Sequence, residues 1–538
     1  MEKGNSADDW SSPVSAQTNN RIVVFSIHGC PHCARAKSLL KSKNWPFEEI
    51  NISDYPQKRN DMVALCDRLT VPQIFFGAFH VGGNAELQEL EKAGKLQGVF
   101  QKELIDAPPH NDSRLQKPEG PPEGSNVPVS LPEEPSVDIK GTQYTYSALY
   151  RELRGILDVK DRWYNLRTYK NCFVGQDFVT AIMERFGFAD RGDAVITGQK
   201  ILDTGLFHHV VKDHTLKDEY LFYRFQSDEE SPALLNKRAL WPSSREVPDP
   251  WVLLKGLKKA LNKLQSRHQM EDGSFNVKAA AGDEEWTVFV HATAGFQKTD
   301  LGSMGEDERL AFVINLYNLA VIHAFVAVGV PFGNAGRYQF FDAVAYEIGG
   351  HRFSLNDLEN GVLRNNTKTP LHLSRPFSSG DKRLSACITE PDCRIHFALN
   401  CGAKSCPPVK SFSKEAVREE LRVAALAFFE DDANLDVSFP GEDEETEGGG
   451  KGKGKGNGRK QGEIIVTLSK ILGWFSADFG KDDTAVLKKV VSLCGGKKKE
   501  RLQTALDSGA KIEVRHSPYD WDAHVVNAKE FKFAFMGH

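Results

Sequence analysis

Two cysteines with two residues between them, in Cys30-Pro31-His32-Cys33, are the most chemically loaded stretch of the chain. Before them runs an apolar, β-branched segment, Arg21 to Ile27, which reads as a buried strand. After them, Ala34 to Lys43 is rich in strong helix formers. The pair therefore stands at a strand-to-helix turn, with Pro31 suited to the first helical turn. Unpaired amides and the positive end of the helix dipole stabilise an anion there. A thiolate is such an anion, so Cys30 is expected to have a lowered pKa and to be the attacking sulfur. Cys33, one turn on, can resolve a mixed disulfide formed at Cys30. This reading requires Cys30 to reach solvent and to face its target.

A second group of reactive residues lies in the C-terminal half. Asn315, Asn318 and His323 punctuate a long apolar helix. At 100° per residue, Asn315 and Asn318 lie about 60° apart, and His323 about 80° from Asn315 on its other side. Buried amides and an imidazole must be hydrogen-bonded, so this helix carries a polar network. Downstream come His396 and the run Asn400-Cys401-Gly402-Ala403-Lys404-Ser405-Cys406-Pro407. Three readings stand side by side. One is a structural or interaction domain with a polar core. Another is a cysteine nucleophile, Cys401 or Cys406, with His323 or His396 as base and Asn318 as orienter. The third is a metal site from Cys387, Cys393, His396, Cys401 and Cys406, whose spacings match no usual zinc pattern, so no metal is expected.

At 538 residues the chain is too long for one core and should hold three or four domains. A net charge of −5 argues against a general nucleic-acid binder, and nine cysteines in this length are not a disulfide scaffold. The polar, acidic N-terminus lacks the features of a secretion or import signal, and no run reaches the ~18 apolar residues of a membrane span. The expected compartment is the cytoplasm, where a C-x-x-C points to redox chemistry.

Residues 20–103 read as β-α-β-α-β-β-α. With Cys30-Pro31-His32-Cys33, Thr70-Val71-Pro72 and Val81-Gly82-Gly83-Asn84 in their places, this segment resembles a glutaredoxin, of the thioredoxin-like superfamily. The resemblance implies disulfide reduction with glutathione as co-substrate and protein disulfides as partners, Cys30 and Cys33 being catalytic. It implies a cis proline at Pro72 and main-chain pairing of the glutathione or substrate with Val71. Around these, His32, Thr70, Gly82, Gly83 and Asn84 would complete the glutathione site, the start of the last helix suiting a carboxylate. Three positions depart from the family. Ile27 stands where a lysine is usual, Ala85 where an aspartate often lies, and His32 where a tyrosine is usual. These predict weak glutathione affinity beside a well-stabilised thiolate.

Residues 104–141, rich in Pro, Glu, Gly and Ser, read as an extended tether. Residues 142–226 carry Asn171-Cys172-Phe173-Val174-Gly175 and Phe222-Tyr223-Arg224-Phe225 and resemble a DEP domain, a winged-helix-like module. Such domains bind receptors or anionic membranes. Six basic side chains (Arg151, Arg154, Lys160, Arg162, Arg167, Lys170) face three acidic ones between 151 and 170, which fits weak, salt-sensitive docking.

A connector is expected at 227–248. Beyond it, residues 249–538 resemble the family called domain of unknown function 547, on Asn315-Leu316-Tyr317-Asn318, Cys401 to Pro407 and Tyr519-Asp520-Trp521. A mainly helical α+β fold is expected there, interrupted by a disordered Gly/Lys insertion at about 440–462. The combined expectation is a multidomain α/β and α+β chain on flexible tethers: a glutathione-dependent oxidoreductase, a signalling or membrane-recruitment module, and a domain of unknown activity. The rivals are a non-enzymatic redox-sensing scaffold and a papain-like cysteine enzyme in the last domain.

Overall fold

The computed structural model describes residues 18–119, 131, 136–211, 213–228, 233–237, 246–369, 374–440, 442 and 463–532. Nearly all of the Gly/Lys insertion expected at 440–462 falls outside them.

The N-terminal unit is built on four strands: β1 (Ile22–Ser26), β2 (Phe47–Asn51), β3 (Gln73–Phe76) and β4 (Phe79–Gly82). Their order is β2-β1-β3-β4, with β1 parallel to β2 and antiparallel to β3. Every residue of β1 is buried, because the helices cover both faces of the central strands. Those helices are α1 (Pro31–Ser42), α2 (Lys58–Cys66) and α3 (Asn84–Lys92). The elements follow the order read from the sequence, and the Val71–Pro72 bond is cis.

The middle unit has a sheet in the order Lys160–Tyr164, Arg167–Val174, Phe222–Phe225, Phe207–His209, with three helices against it. Thr145 and Asp190 cap two of those helices through their side chains. Phe173, Phe178, Phe207, Tyr223 and Phe225 fill the core.

The C-terminal unit is a mixed, mainly helical α+β fold wrapped around the Glu306–Ala327 helix. That helix is long and apolar enough to cross a membrane, contrary to the sequence expectation that no such run exists. Here it is the centre of a globular core: Leu310 to Val321 is buried on every face.

Two connecting segments are shorter than expected. Residues 104–116 are not a tether: Leu104 and Leu115 are buried in the N-terminal unit, and the Lys58 ammonium donates to the carbonyls of Ser113 and Arg114. At the far end, Ser136–Ile139 pairs with Thr142–Thr145, and Val137 and Ile139 join the middle core. Similarly, Leu235 and Asn236 of the expected connector are buried in the C-terminal unit, where Asn236 bonds both the amide and the carbonyl of Glu347 at 2.8 Å. In each case a few apolar or amide side chains within a polar run found a buried partner.

The units are also not independent. Ser38 Oγ donates to the Glu271 carbonyl at 3.0 Å, and the Leu69 amide donates to both Glu430 carboxylate oxygens at 3.2 Å. Gly273, at φ +84°, lies so close that an added Cβ would sit 2.6 Å from the Pro31 carbonyl oxygen. The C-terminal unit thus rests directly on the start of α1.

Candidate active sites

Cys30 is the N-cap of α1, and its sulfur accepts the Cys33 amide at 3.1 Å. Pro31 occupies the first helical position. The local sequence forces this arrangement: a β-branched strand ends at Ser26, Gly29 turns at positive φ, and proline opens the helix. Cys30 and Cys33 are joined as a disulfide with Cα atoms 5.3 Å apart, and Val71 packs against the same cluster. An ideal Cβ on Gly83 would lie 3.4 Å from the Pro72 carbonyl, so the Thr70-Val71-Pro72 turn and the Gly82-Gly83-Asn84 turn adjoin.

Two features differ from the sequence expectation. First, Cys30 is only 5% exposed and does not reach solvent freely. It packs in a cluster of its own domain with Phe25, Ile27 and Cys33, and the residues on either side of it are covered, Pro31 by Gly273 and Gly29 by the Gln265 side chain. The His32 imidazole has a lowered pKa, through burial first and the Arg35 charge second, against the opposing Asp431 carboxylate. Second, the start of α3 is already occupied. Glu86 folds back so that its carboxylate accepts the Gly83 amide at 2.9 Å, and its other oxygen lies 3.5 Å from Arg68. The Glu86 carboxylate thus fills the position that the resemblance gives to a glutathione carboxylate. Ile27 is buried in the cysteine cluster and offers no charge.

The second group assembles differently from either His-based expectation. His323 is fully buried, 2.6 Å from the Tyr346 hydroxyl, and ringed by Trp286 and Phe289. It belongs to the helix-packing core and does not line the cysteine cavity. Asn318 does not touch the cysteines either, but it positions the chain leading to them. Its amide donates to the Ala398 carbonyl at 2.9 Å, and its oxygen accepts the Asn400 amide at 2.8 Å. Asn315 instead binds Phe412 and the Lys258 ammonium.

Cys401, Cys406 and His396 share a cavity, but the His396 imidazole is turned to Asp478 and hydrogen-bonds neither sulfur. The cavity has a volume of about 320 Å³, and Tyr317, Glu359, Trp474, Phe475 and Tyr519 also line it. The Cys401 and Cys406 sulfurs are 3.1 Å apart. Cys406 Sγ accepts the Cys401 amide at 3.2 Å, and the Tyr519 hydroxyl lies 3.2 Å from it. Burial pushes the Cys406 thiol up, but the bonds from Cys401 and Tyr519 outweigh it and bring the group below its ordinary value. The Cys401 thiol moves the other way, well above its ordinary value, because it donates to Cys406 and because it is buried.

The His396 ring stacks on Phe475 at 4.0 Å, and its Nε2 lies 2.8 Å from Asp478. Asp478 also receives a bidentate pair from Arg364 at 2.6 and 2.7 Å. Burial alone would raise the Asp478 carboxyl; the bonds from His396 and Arg364 hold it at about 2. Burial raises Glu359, which accepts the Tyr317 hydroxyl at 3.2 Å. Glu359, Arg364, Asp478 and Tyr519 were not singled out from the sequence as site residues. Tyr519 carried a signal in the Tyr-Asp-Trp motif; Asp478 carried none and reaches His396 across 82 residues of chain.

Family models match three segments in chain order: Glutaredoxin at 22–81, "Domain found in Dishevelled, Egl-10, and Pleckstrin (DEP)" at 157–225, and "Protein of unknown function, DUF547" at 301–429. A glutaredoxin from Pseudomonas aeruginosa is 41% identical over 79 residues, which is 15% of this chain and 94% of that protein. Glutaredoxin 3 of Escherichia coli is likewise 41% identical, over 15% of this chain and 95% of that protein. The solved buckwheat glutaredoxin–glutathione complex is 28% identical, covering 16% of this chain and 86% of that one, with a TM-score of 0.15. The chain therefore belongs, through its N-terminal thiol–disulfide oxidoreductase domain, to the glutaredoxin family.

Proposed function

We propose that this chain is a glutathione-dependent thiol–disulfide oxidoreductase whose activity is recruited and restrained by its other two domains. The observation that carries the reading is Cys30 at the N-cap of α1, its sulfur accepting a backbone amide. Those amides favour the thiolate over the thiol. The Cys30 thiolate attacks a disulfide or a protein–glutathione mixed disulfide, and the adduct is resolved by Cys33 or by a second glutathione. Val71 would pair with the glutathione main chain, flanked by Thr70 and Pro72, with His32, Gly82, Gly83 and Asn84 around it. Because Glu86 occupies the helix start, glutathione must displace it or leave its own carboxylate near Arg68. Both routes weaken binding, in line with Ile27 and Ala85.

Recruitment rests on the hairpin of the middle domain. Its tip exposes Trp163 (67%), Tyr164 (53%) and Leu166 (86%) beside the basic Arg167. An exposed aromatic and aliphatic tip with basic flanks suits an anionic membrane surface. The reading places the protein in the cytoplasm, peripheral at a membrane.

A redox-sensing scaffold without turnover is the second reading, and the covered Cys30 favours it. One experiment separates them: the reduced full-length protein is mixed with a glutathionylated peptide and free glutathione is followed. Catalytic release that disappears in Cys30→Ser supports the enzyme. Single-turnover release in the native chain supports the scaffold.

A further inference from the structure

We infer that Cys401 and Cys406 form a second thiol–disulfide centre, set in the wall of the C-terminal cavity, with Cys406 as the nucleophile and Cys401 as the resolving thiol. The sulfurs stand 3.1 Å apart, close enough to bond with a small rotation of either side chain. Both face the Tyr519 hydroxyl, 3.2 Å from Cys406 and 3.8 Å from Cys401. The Cys401 amide donates to Cys406, and the Cys401 thiol and the Tyr519 hydroxyl, each able to donate, lie 3.1 and 3.2 Å from the same sulfur, an arrangement that suits a thiolate there. Both cysteines are partly exposed residues and line the cavity from which a reactant would approach.

The loop that carries them is held on all sides. Asn400 bonds the Pro407 carbonyl and the Gly402 amide at 2.7 Å. Ser405 and Lys404 bond the 520–522 main chain. Gly402, at φ +88°, is pressed so closely against the Phe325 ring that a Cβ would sit 2.3 Å from it. A loop built only to connect two elements needs no such clamp.

The reactant is a disulfide, of a small molecule or a peptide, with an apolar flank to lie against Trp474, Phe475 and Trp521. The Cys406 thiolate attacks one of its sulfurs, forming a mixed disulfide and expelling one thiolate. The expelled thiolate takes up the Cys401 proton. The Cys401 thiolate then attacks the Cys406 sulfur, forming the Cys401–Cys406 bond and expelling the second thiolate. Two protein thiols are oxidised and one disulfide is reduced to two thiols. Excess thiol runs the sequence backwards.

The test equilibrates the full-length protein with glutathione and glutathione disulfide at stepped ratios, and separately with a small aromatic disulfide. Free thiols are then alkylated in acid quench and peptides are mapped by mass. The expected result is a Cys401–Cys406 linked peptide that appears as the ratio becomes oxidising and persists in the Cys30→Ser/Cys33→Ser double variant. In Cys401→Ser the adduct should stop as a mixed disulfide on Cys406. Tyr519→Phe should slow formation of that adduct about tenfold through loss of one thiolate donor. Persistence in the double variant keeps this outcome separate from the fate of the N-terminal reading. Quantitative alkylation of both cysteines with both disulfides, or an adduct on Cys401 instead of Cys406, would overturn the inference. The wild-type mapping decides the matter even if a variant does not fold.

Discussion

The two cysteine pairs of this chain reach similar chemistry by opposite routes. Cys30 draws its thiolate donor from its own helix, three residues away. Cys406 draws one of its donors, the Tyr519 hydroxyl, from 113 residues away. The first pair has a sound intrinsic site but is covered by another domain. The second lines a cavity but depends entirely on tertiary assembly. A helix N-terminus is a property of a dozen residues; a clamped loop is a property of the whole fold. The two sites also share a boundary. The 519–526 tail runs from Tyr519 at the second pair to His524, whose carbonyl accepts the Phe275 amide, two residues from the Gly273 that rests on Pro31.

The largest effect should come from the first pair itself. Cys30→Ser is expected to cut reduction of a glutathione mixed disulfide by ~1,000-fold or more, while Cys33→Ser retains a monothiol activity, because only the attacking sulfur is indispensable. Steady-state glutathione release measures both. Equal losses in the two variants would assign the roles wrongly.

Next is the scaffold of the second pair. Asp478→Asn leaves the Arg364 guanidinium, whose side chain is 5% exposed, without its carboxylate. The expected cost is about 3 kcal/mol of stability, read by denaturant unfolding of the C-terminal transition. The same pair sets an acid limb. Asp478 is held at about 2, below its unfolded value, so its contribution is complete above the unfolded pKa. It is then lost as the pH falls from about 4 towards 2. In Asp478→Asn that part of the acid limb should flatten.

A smaller effect should loosen the cover. Gly273→Val places a branched side chain against the Pro31 backbone at a positive φ, and should strain the contact by about 1–2 kcal/mol. Cys30 in the reduced protein should then be alkylated about tenfold faster, with Cys406 unchanged. No change at Cys30 would mean that Gly273 does not hold the cover. The smallest effect is at the hairpin tip: Leu166→Ser should weaken binding to anionic vesicles only a few-fold, since one exposed side chain is removed.

What could be read from the sequence follows the range of the forces. The strand-turn-helix around Cys30 and the order of the N-terminal elements follow from local signals, whereas the cis Pro72 is legible only through the resemblance to glutaredoxins. The burial of Asn315 and Asn318 also follows from local signals, since amides on an apolar helix must be paired. The role of His323 was misplaced because helical spacing shows that a polar side chain is buried, not which partner it meets. Tyr346 and two aromatic rings met it first. Leu104, Leu115, Val137 and Ile139 were lost in a Pro- and Glu-rich stretch whose average composition hid four apolar anchors. The cover on Cys30 left no sequence trace at all: Gly273, Gln265 and Glu430 are ordinary residues until the fold sets them against α1 and the loop before Pro72.

The central claim is that the backbone amides at the start of α1 hold Cys30 as a thiolate. The rate of Cys30 alkylation by iodoacetamide, followed against pH in the reduced full-length protein, tests it most directly. The cover scales the rate at every pH but leaves the midpoint in place. A midpoint well below the ~8.5 of an ordinary thiol is the predicted result. A midpoint at or above that value would contradict it.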